Sequence, residues 1–118
     1  MRFMLRSKIH RATVTAVNID YVGSITIDPD LLDAADMLEF EQVHVLNLSN
    51  GERFVTYIMN GTKGSGEVVI NGAAAHKAAP GDKIIVLSFG LMDEESVVLH
   101  SPRLVLVDEA NRIVGDSA

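Results

Sequence analysis

The sequence predicts a mainly β protein, a compact barrel of short strands with minor helical content. Three observations carry that reading. Runs of β-branched and alternating residues recur between turn signals, residues 83–89 are almost continuously apolar, and only two short stretches have helical character. At 118 residues the chain is expected to form a single domain spanning residues 1–118, long enough for a core and too short for two.

Residues 1–16 are strand-like, with Ile9, Thr13, Val14 and Thr15 dense after Lys8. Alternation puts Lys8 and His10 on one face, as solvated strand residues or as a lysine aimed at an anionic ligand. Asp28-Pro29-Asp30 reads as a helix start: an N-cap, a proline at the first helical position and an acid in the positive first turn. A short helix follows through Leu31, Leu32, Ala34 and Ala35. Residues 41–48 alternate, with Val43, Val45 and Asn47 on one side and Gln42, His44, Leu46 and Leu48 on the other. Asn50-Gly51 is a turn signal and residues 53–59 are a second β-rich run, so the two segments make a hairpin. Within the second run Arg53, Val55, Tyr57 and Met59 share a face, and Thr56 points the other way. The residues alone allow Arg53 and Tyr57 to be surface groups or a functional pair.

Gly61-Thr62-Lys63-Gly64-Ser65-Gly66 lacks the Gly-Lys-Ser/Thr ending of a phosphate-binding loop and reads as a tight connection into a strand at residues 68–70. Asn71-Gly72-Ala73-Ala74-Ala75-His76 starts a helix with backbone N–H groups that no large side chain obstructs. That suits a docking carboxylate and, equally, close helix–strand packing. Ala79-Pro80-Gly81-Asp82 is a turn, residues 83–89 form a strand buried on both faces, and Asp93-Glu94-Glu95-Ser96 is a solvated acidic turn or helix start. Pro102 precedes a strand at residues 103–107. Residues 108–111 then turn into Arg112-Ile113-Val114, and residues 115–118 are expected to fray.

Composition removes several function classes. A hydrophobic share of 47% with a mean hydropathy of +0.21 is high for so small a chain and points to burial between subunits, hence to a homo-oligomer. No apolar run approaches the roughly 20 residues that span a bilayer, and the N-terminus is too short and interrupted for a signal peptide, so a cytoplasmic location and no membrane partner are expected. Ten basic against sixteen acidic residues give a net charge of −6, which argues against a nucleic-acid partner. The absence of cysteine excludes disulfides, thiol catalysis and thiolate metal sites. The four histidines have no ligand spacing and no serine sits in a Gly-x-Ser-x-Gly elbow, so neither a zinc site nor hydrolase-type catalysis is expected.

The stretch Tyr21-Val22-Gly23-Ser24-Ile25-Thr26-Ile27-Asp28 contains a Gly-Ser pair, in most chains an ordinary turn. Such a pair also permits an N→O acyl shift. The Ser24 oxygen attacks the Gly23 carbonyl and turns the amide into an ester, and elimination then cuts the chain and leaves a dehydroalanine that hydrolyses to a pyruvoyl group.

With Lys8-Ile9-His10-Arg11-Ala12, this Gly-Ser stretch, Asn50-Gly51-Glu52-Arg53-Phe54 leading to Thr56-Tyr57, and Asn71-Gly72-Ala73-Ala74-Ala75-His76 in that order, the chain closely resembles the aspartate 1-decarboxylase family from Met4 to about Val114. The resemblance implies a double-psi β-barrel with short helices that assembles as a homotetramer. It implies self-cleavage between Gly23 and Ser24 into fragments 1–23 and 24–118, and a covalent pyruvoyl cofactor derived from Ser24. It implies decarboxylation of L-aspartate to β-alanine for pantothenate biosynthesis, with room for an accessory maturation protein. By the same resemblance Tyr57 is the proton donor, Thr56 contacts substrate and takes part in processing, and Gly72, Ala73 and Ala74 bind substrate through their backbone. Asn71 belongs to processing, and Lys8 and Arg53 are the basic pocket residues. Some members carry a tryptophan where this chain has Leu46, which alters the pocket wall and leaves the chemistry in place.

These residue types suit that chemistry. Decarboxylation leaves an α-carbanion, and a ketone made from the chain itself can accept its electrons. Phenols titrate near 10, so a tyrosine is an acid that keeps its proton at neutral pH. A guanidinium grips a carboxylate with two bonds and an ammonium offers a point charge. The competing readings are a non-enzymatic double-psi barrel module, and the same chemistry on glutamate, one methylene longer.

Overall fold

The structure, a computed structural model, describes residues 1–117. Its elements in chain order are strands β1 (Arg2–Thr13), β2 (Ala16–Asn18) and β3 (Ser24–Ile27), helix α1 (Pro29–Ala35), strands β4 (Gln42–Asn47), β5 (Arg53–Asn60) and β6 (Val68–Asn71), a 3-10 helix (Gly72–Lys77), strand β7 (Lys83–Met92), helix α2 (Glu94–Val98), and strands β8 (Arg103–Val107) and β9 (Ile113–Ser117). The nine strands form one mixed sheet in the order β2-β6-β3-β5-β4-β7-β1-β8-β9. This is the mainly β architecture with short helices expected of a double-psi β-barrel.

Local chemistry explains most elements. Asp28 caps α1 by accepting the Asp30 N–H, with Pro29 at the start and Asp30 in the first turn, as the sequence predicts. The helix stops at Asp36, which takes the left-handed conformation at φ 53°. In β4 the alternation buries Val43, Val45 and Asn47, and the Asn50-Gly51 turn returns the chain antiparallel as β5. In β7 Ile84 to Ser88 are all buried, matching a strand covered on both faces.

The core collects these inner faces. Ile9, Ile25, Ile27, Leu31, Leu32, Val43, Val45, Ile58, Ile70, Ile84, Val86 and Val105 are each at most 2% exposed. Each such side chain contributes about 1.5–3 kcal/mol on burial.

Several boundaries differ from the sequence reading. The strand predicted over residues 1–16 breaks after Thr13. There the Val14 N–H donates to Asp82 and the Thr15 N–H to Val68, handing the chain from β7 to β6. The predicted apolar strand runs on to Met92, because Arg2 to Leu5 of β1 pair with Phe89 to Met92. The acidic stretch after Met92 is a helix start, with the Asp93 carboxylate capping the Ser96 N–H. The expected fraying of residues 115–117 is corrected: the backbone of Gly115 to Ser117 pairs with Leu104 to Leu106 as part of β9. Ala118 lies outside the described residues.

Candidate active site

Ser24 opens β3 and is 1% exposed, whereas Gly23 before it is exposed, with no described residue beyond its chain neighbours within 4 Å of where a Cβ would stand. The Gly23–Ser24 bond therefore straddles the edge of the packed sheet. Ser24 Oγ donates to the Val22 carbonyl at 3.3 Å and accepts from Asn71 Nδ2 at 2.9 Å.

Asn71 ends β6, where it lies across from Ser24 in the antiparallel β3–β6 ladder and from Asn18 in the parallel β2–β6 ladder. Its side chain is buried, and its amide donates a second bond to Thr26 Oγ1 at 2.9 Å. Asn71 makes no side-chain cap to the 3-10 helix that it precedes. The first N–H groups of Gly72, Ala73 and Ala74 are thus left without a capping side chain.

Gly72 brings this helix start onto the bond. It sits at φ +71°, and a Cβ there would lie 2.6 Å from Gly23 Cα and 2.8 Å from Gly23 N. Only glycine meets both demands. Ala73 is exposed and Ala74 half-buried beside it.

Tyr57 and Ser24 each stand immediately before the first paired residues of the parallel β3–β5 ladder, Ile58 and Ile25. Thr56 pairs with Val43 and Tyr57 with Gln42, so alternation turns the two side chains to opposite faces. Among the described residues neither hydrogen-bonds to Ser24.

The chain does not bring the two predicted cations to the bond. Arg53 is exposed on β5, four residues and about 13 Å along the strand from Tyr57. Lys8 pairs with Leu87 and Leu104 on β1, and lines a groove with His10, Leu104 and Leu106. Neither cation shares a ladder position, a pocket or a hydrogen bond with Ser24 among the described residues. His10 is held below its ordinary value by burial and by the positive charges of Lys8 and Arg11.

The sequence reading missed Thr26. The alternation Ser24-Ile25-Thr26 puts both hydroxyls on one face of β3, but their link through Asn71 depends on the register of β6. Beside them opens a polar cleft of about 420 Å³, whose lining includes Asn18, Tyr21, Thr26, Met59 and Asn71.

A sequence profile of the family described as aspartate decarboxylase matches residues 1–114. The chain belongs to the aspartate decarboxylase family. It is 57% identical over 114 residues to aspartate 1-decarboxylase 1 of Gloeobacter violaceus, covering 97% of both chains. It is 56% identical to the aspartate 1-decarboxylase of Dehalococcoides mccartyi strain CBDB1 over 93% of this chain and 89% of that one. With the aspartate 1-decarboxylase of Heliobacterium modesticaldum it shares 52% identity over 98% of this chain and 88% of the relative. The stretch matched to the aspartate decarboxylase family includes every candidate residue from Lys8 to Ala74. A pyruvoyl group derived from Ser24 fits the residues found there: a hydroxyl residue, an unobstructed glycine before it, and a buried amide donor aimed at the hydroxyl oxygen.

Proposed function

We propose that this chain is a pyruvoyl-dependent aspartate 1-decarboxylase that converts L-aspartate to β-alanine and CO2 for pantothenate biosynthesis, after cutting itself between Gly23 and Ser24. The observation that carries the reading is the Asn71 amide donated to the buried Ser24 hydroxyl, directly behind an exposed glycine.

Self-cleavage starts with attack of Ser24 Oγ on the Gly23 carbonyl carbon. The C–N bond breaks as the C–O bond forms, and the hydroxyl proton ends on the freed amine. Gly72 holds Gly23 in place by close packing, and Asn71 holds Ser24 Oγ. Loss of the Ser24 α-hydrogen expels the Gly23 carboxylate, and exchange of ammonia for water leaves the ketone.

When formed, the pyruvoyl group supplies the electron-accepting carbonyl that decarboxylation needs. The chain's own groups do the rest. The uncapped N–H groups of Gly72, Ala73 and Ala74 bind substrate, Thr56 contacts it, and Tyr57 returns a proton to the carbon that loses CO2. Lys8 and Arg53 hold the carboxylates. Since both stand apart from Ser24 in one chain, the site is completed by a neighbouring copy within a homotetramer. Phe3, Val55, Phe89 and Leu106 support such an assembly, being exposed apolar residues on the strands that carry these cations or pair with them.

Intact mass measurement of the purified cytoplasmic protein tests the reading. Two fragments divided after Gly23 are expected, with Ser24→Ala remaining one chain and borohydride trapping aspartate on the larger fragment. An uncut chain with an unaltered Ser24 that still releases β-alanine would overturn it.

A further inference from the structure

We propose that Thr26 is a positioning residue for self-cleavage, fixing the plane of the Asn71 amide that orients the Ser24 hydroxyl. The inference rests on the proposed function and adds a residue to it.

A primary amide nitrogen carries two hydrogens in a fixed plane. Asn71 spends one on Ser24 Oγ and the other on Thr26 Oγ1, both at 2.9 Å. The sheet makes this fork possible. Asn71 lies directly across from Ser24, while Val69 lies across from Thr26, so Thr26 is the diagonal neighbour on the same face. Asn71 is only 2% exposed, and its partner Thr26 is half-buried on the lining of the polar cleft.

The direction of the amide suits the whole reaction. Ser24 Oγ begins as a hydroxyl, donating its hydrogen toward Val22 O while accepting from Asn71. After the N→O shift the same oxygen belongs to an ester and can only accept. An amide hydrogen stays compatible with both states, whereas a turned amide would set its carbonyl oxygen against the ester oxygen. Without the Thr26 oxygen one amide hydrogen loses the acceptor that fixes the amide plane, which frees the amide to turn.

The test follows uncleaved, freshly purified chain by intact mass, with and without hydroxylamine, which severs an ester and spares an amide. Thr26→Val should slow fragment appearance about 3- to 10-fold in both conditions, the effect of one lost neutral hydrogen bond. Thr26→Ser, which keeps the oxygen, should split within about 2-fold of the parent chain. Melting temperatures of the uncleaved chains identify any variant that fails to fold, and Thr26→Ala then takes the place of the valine. A Thr26→Val chain that splits at the parent rate, or a Thr26→Ser chain as slow as the valine, would overturn the role of Thr26 and leave the proposed function standing. A parent chain that never splits would remove both.

Discussion

Gly72 and Gly23, forty-nine positions apart, pack so closely that a methyl group on Gly72 would overlap the Gly23 backbone at 2.6 Å. The contact joins the start of the 3-10 helix to the bond before Ser24, and it is reinforced by a left-handed φ of +71°. Gly72→Ala must therefore meet two costs, about 1–2 kcal/mol for the backbone conformation and a further displacement of Gly23. Gly51→Ala separates them: Gly51 has φ +78° and, among the described residues beyond its chain neighbours, nothing within 4 Å of its Cβ position. In urea unfolding Gly51→Ala should lose about 1–2 kcal/mol and Gly72→Ala distinctly more. Only Gly72→Ala should delay fragment formation, by about 10-fold or more if the displacement costs over 1.4 kcal/mol. Equal losses in the two variants would show that the close contact carries no weight.

A second relationship controls acid stability. The buried Asp28 carboxylate accepts the N–H groups of Asp30 at 2.9 Å, Gly64 at 2.9 Å and Gly66 at 2.8 Å, tying the glycine-rich loop to the start of α1. Burial pushes its pKa up, but these three bonds and the charge of Arg112 outweigh it, and the carboxyl is held below its ordinary 3.8. The unfolded chain thus binds the proton more readily than the folded one. The stabilisation is complete above the ordinary value and is lost as pH falls from about 4 through the lower folded value. Asp28→Asn places an NH2 group against at least one of the loop N–H groups and should cost about 2–4 kcal/mol at pH 7. The parent should lose this advantage on acidification, so the stability gap narrows below pH 4. A gap that stays constant from pH 7 to pH 3 would refute the linkage.

The elements legible in the sequence were those fixed by neighbours in the chain. Asp28-Pro29-Asp30 capped its helix, Val43-His44-Val45 sorted itself between core and surface, and Asn50-Gly51 closed its hairpin. What no local pattern carried was partner choice. That β3 lies between β5 and β6, parallel to one and antiparallel to the other, is decided by long-range packing. Thr26 was missed for that reason, because its link to Ser24 runs through the register of β6. Residue chemistry alone left Lys8, Arg53, Tyr57 and the Gly72 to Ala74 backbone open between functional and structural readings and favoured an ordinary turn at Gly23-Ser24, and their roles came from resemblance to the family. The glycine, acid and serine of residues 115–117 read as a loose end, yet their backbone bonds to β8 need no favourable side chains.

Ser7 offers an opposite kind of test. It is fully buried, and its hydroxyl has no hydrogen-bond partner among the described residues. An unpaired buried hydroxyl costs about 1–3 kcal/mol relative to an apolar group of similar shape. Ser7→Ala should leave thermal stability unchanged or raise it by up to about 1 kcal/mol, since the small void left behind offsets part of the gain. A drop of more than about 1 kcal/mol would mean that the hydroxyl has a partner in solution, such as a buried water.

Asn111 is the clearest single point at which three distant segments are held. Its side chain accepts the Thr13 N–H at 2.7 Å and donates to the Thr13 carbonyl at 2.9 Å, standing in for a strand at the end of β1. The same amide donates to the Gly66 carbonyl at 2.7 Å. Asn111 also occupies the left-handed region at φ 60°, which asparagine tolerates better than most residues. Asn111→Ala removes the three bonds, leaves buried backbone groups unpaired and adds backbone strain, so it should cost about 3–5 kcal/mol. Asn111→Gly removes the same bonds without the strain and should be about 1 kcal/mol less harmful. Denaturant midpoints of the two variants decide the matter: if glycine is no better than alanine, the positive φ is not maintained in solution. If both lie within 1 kcal/mol of the parent, the amide is not the clamp that these distances describe.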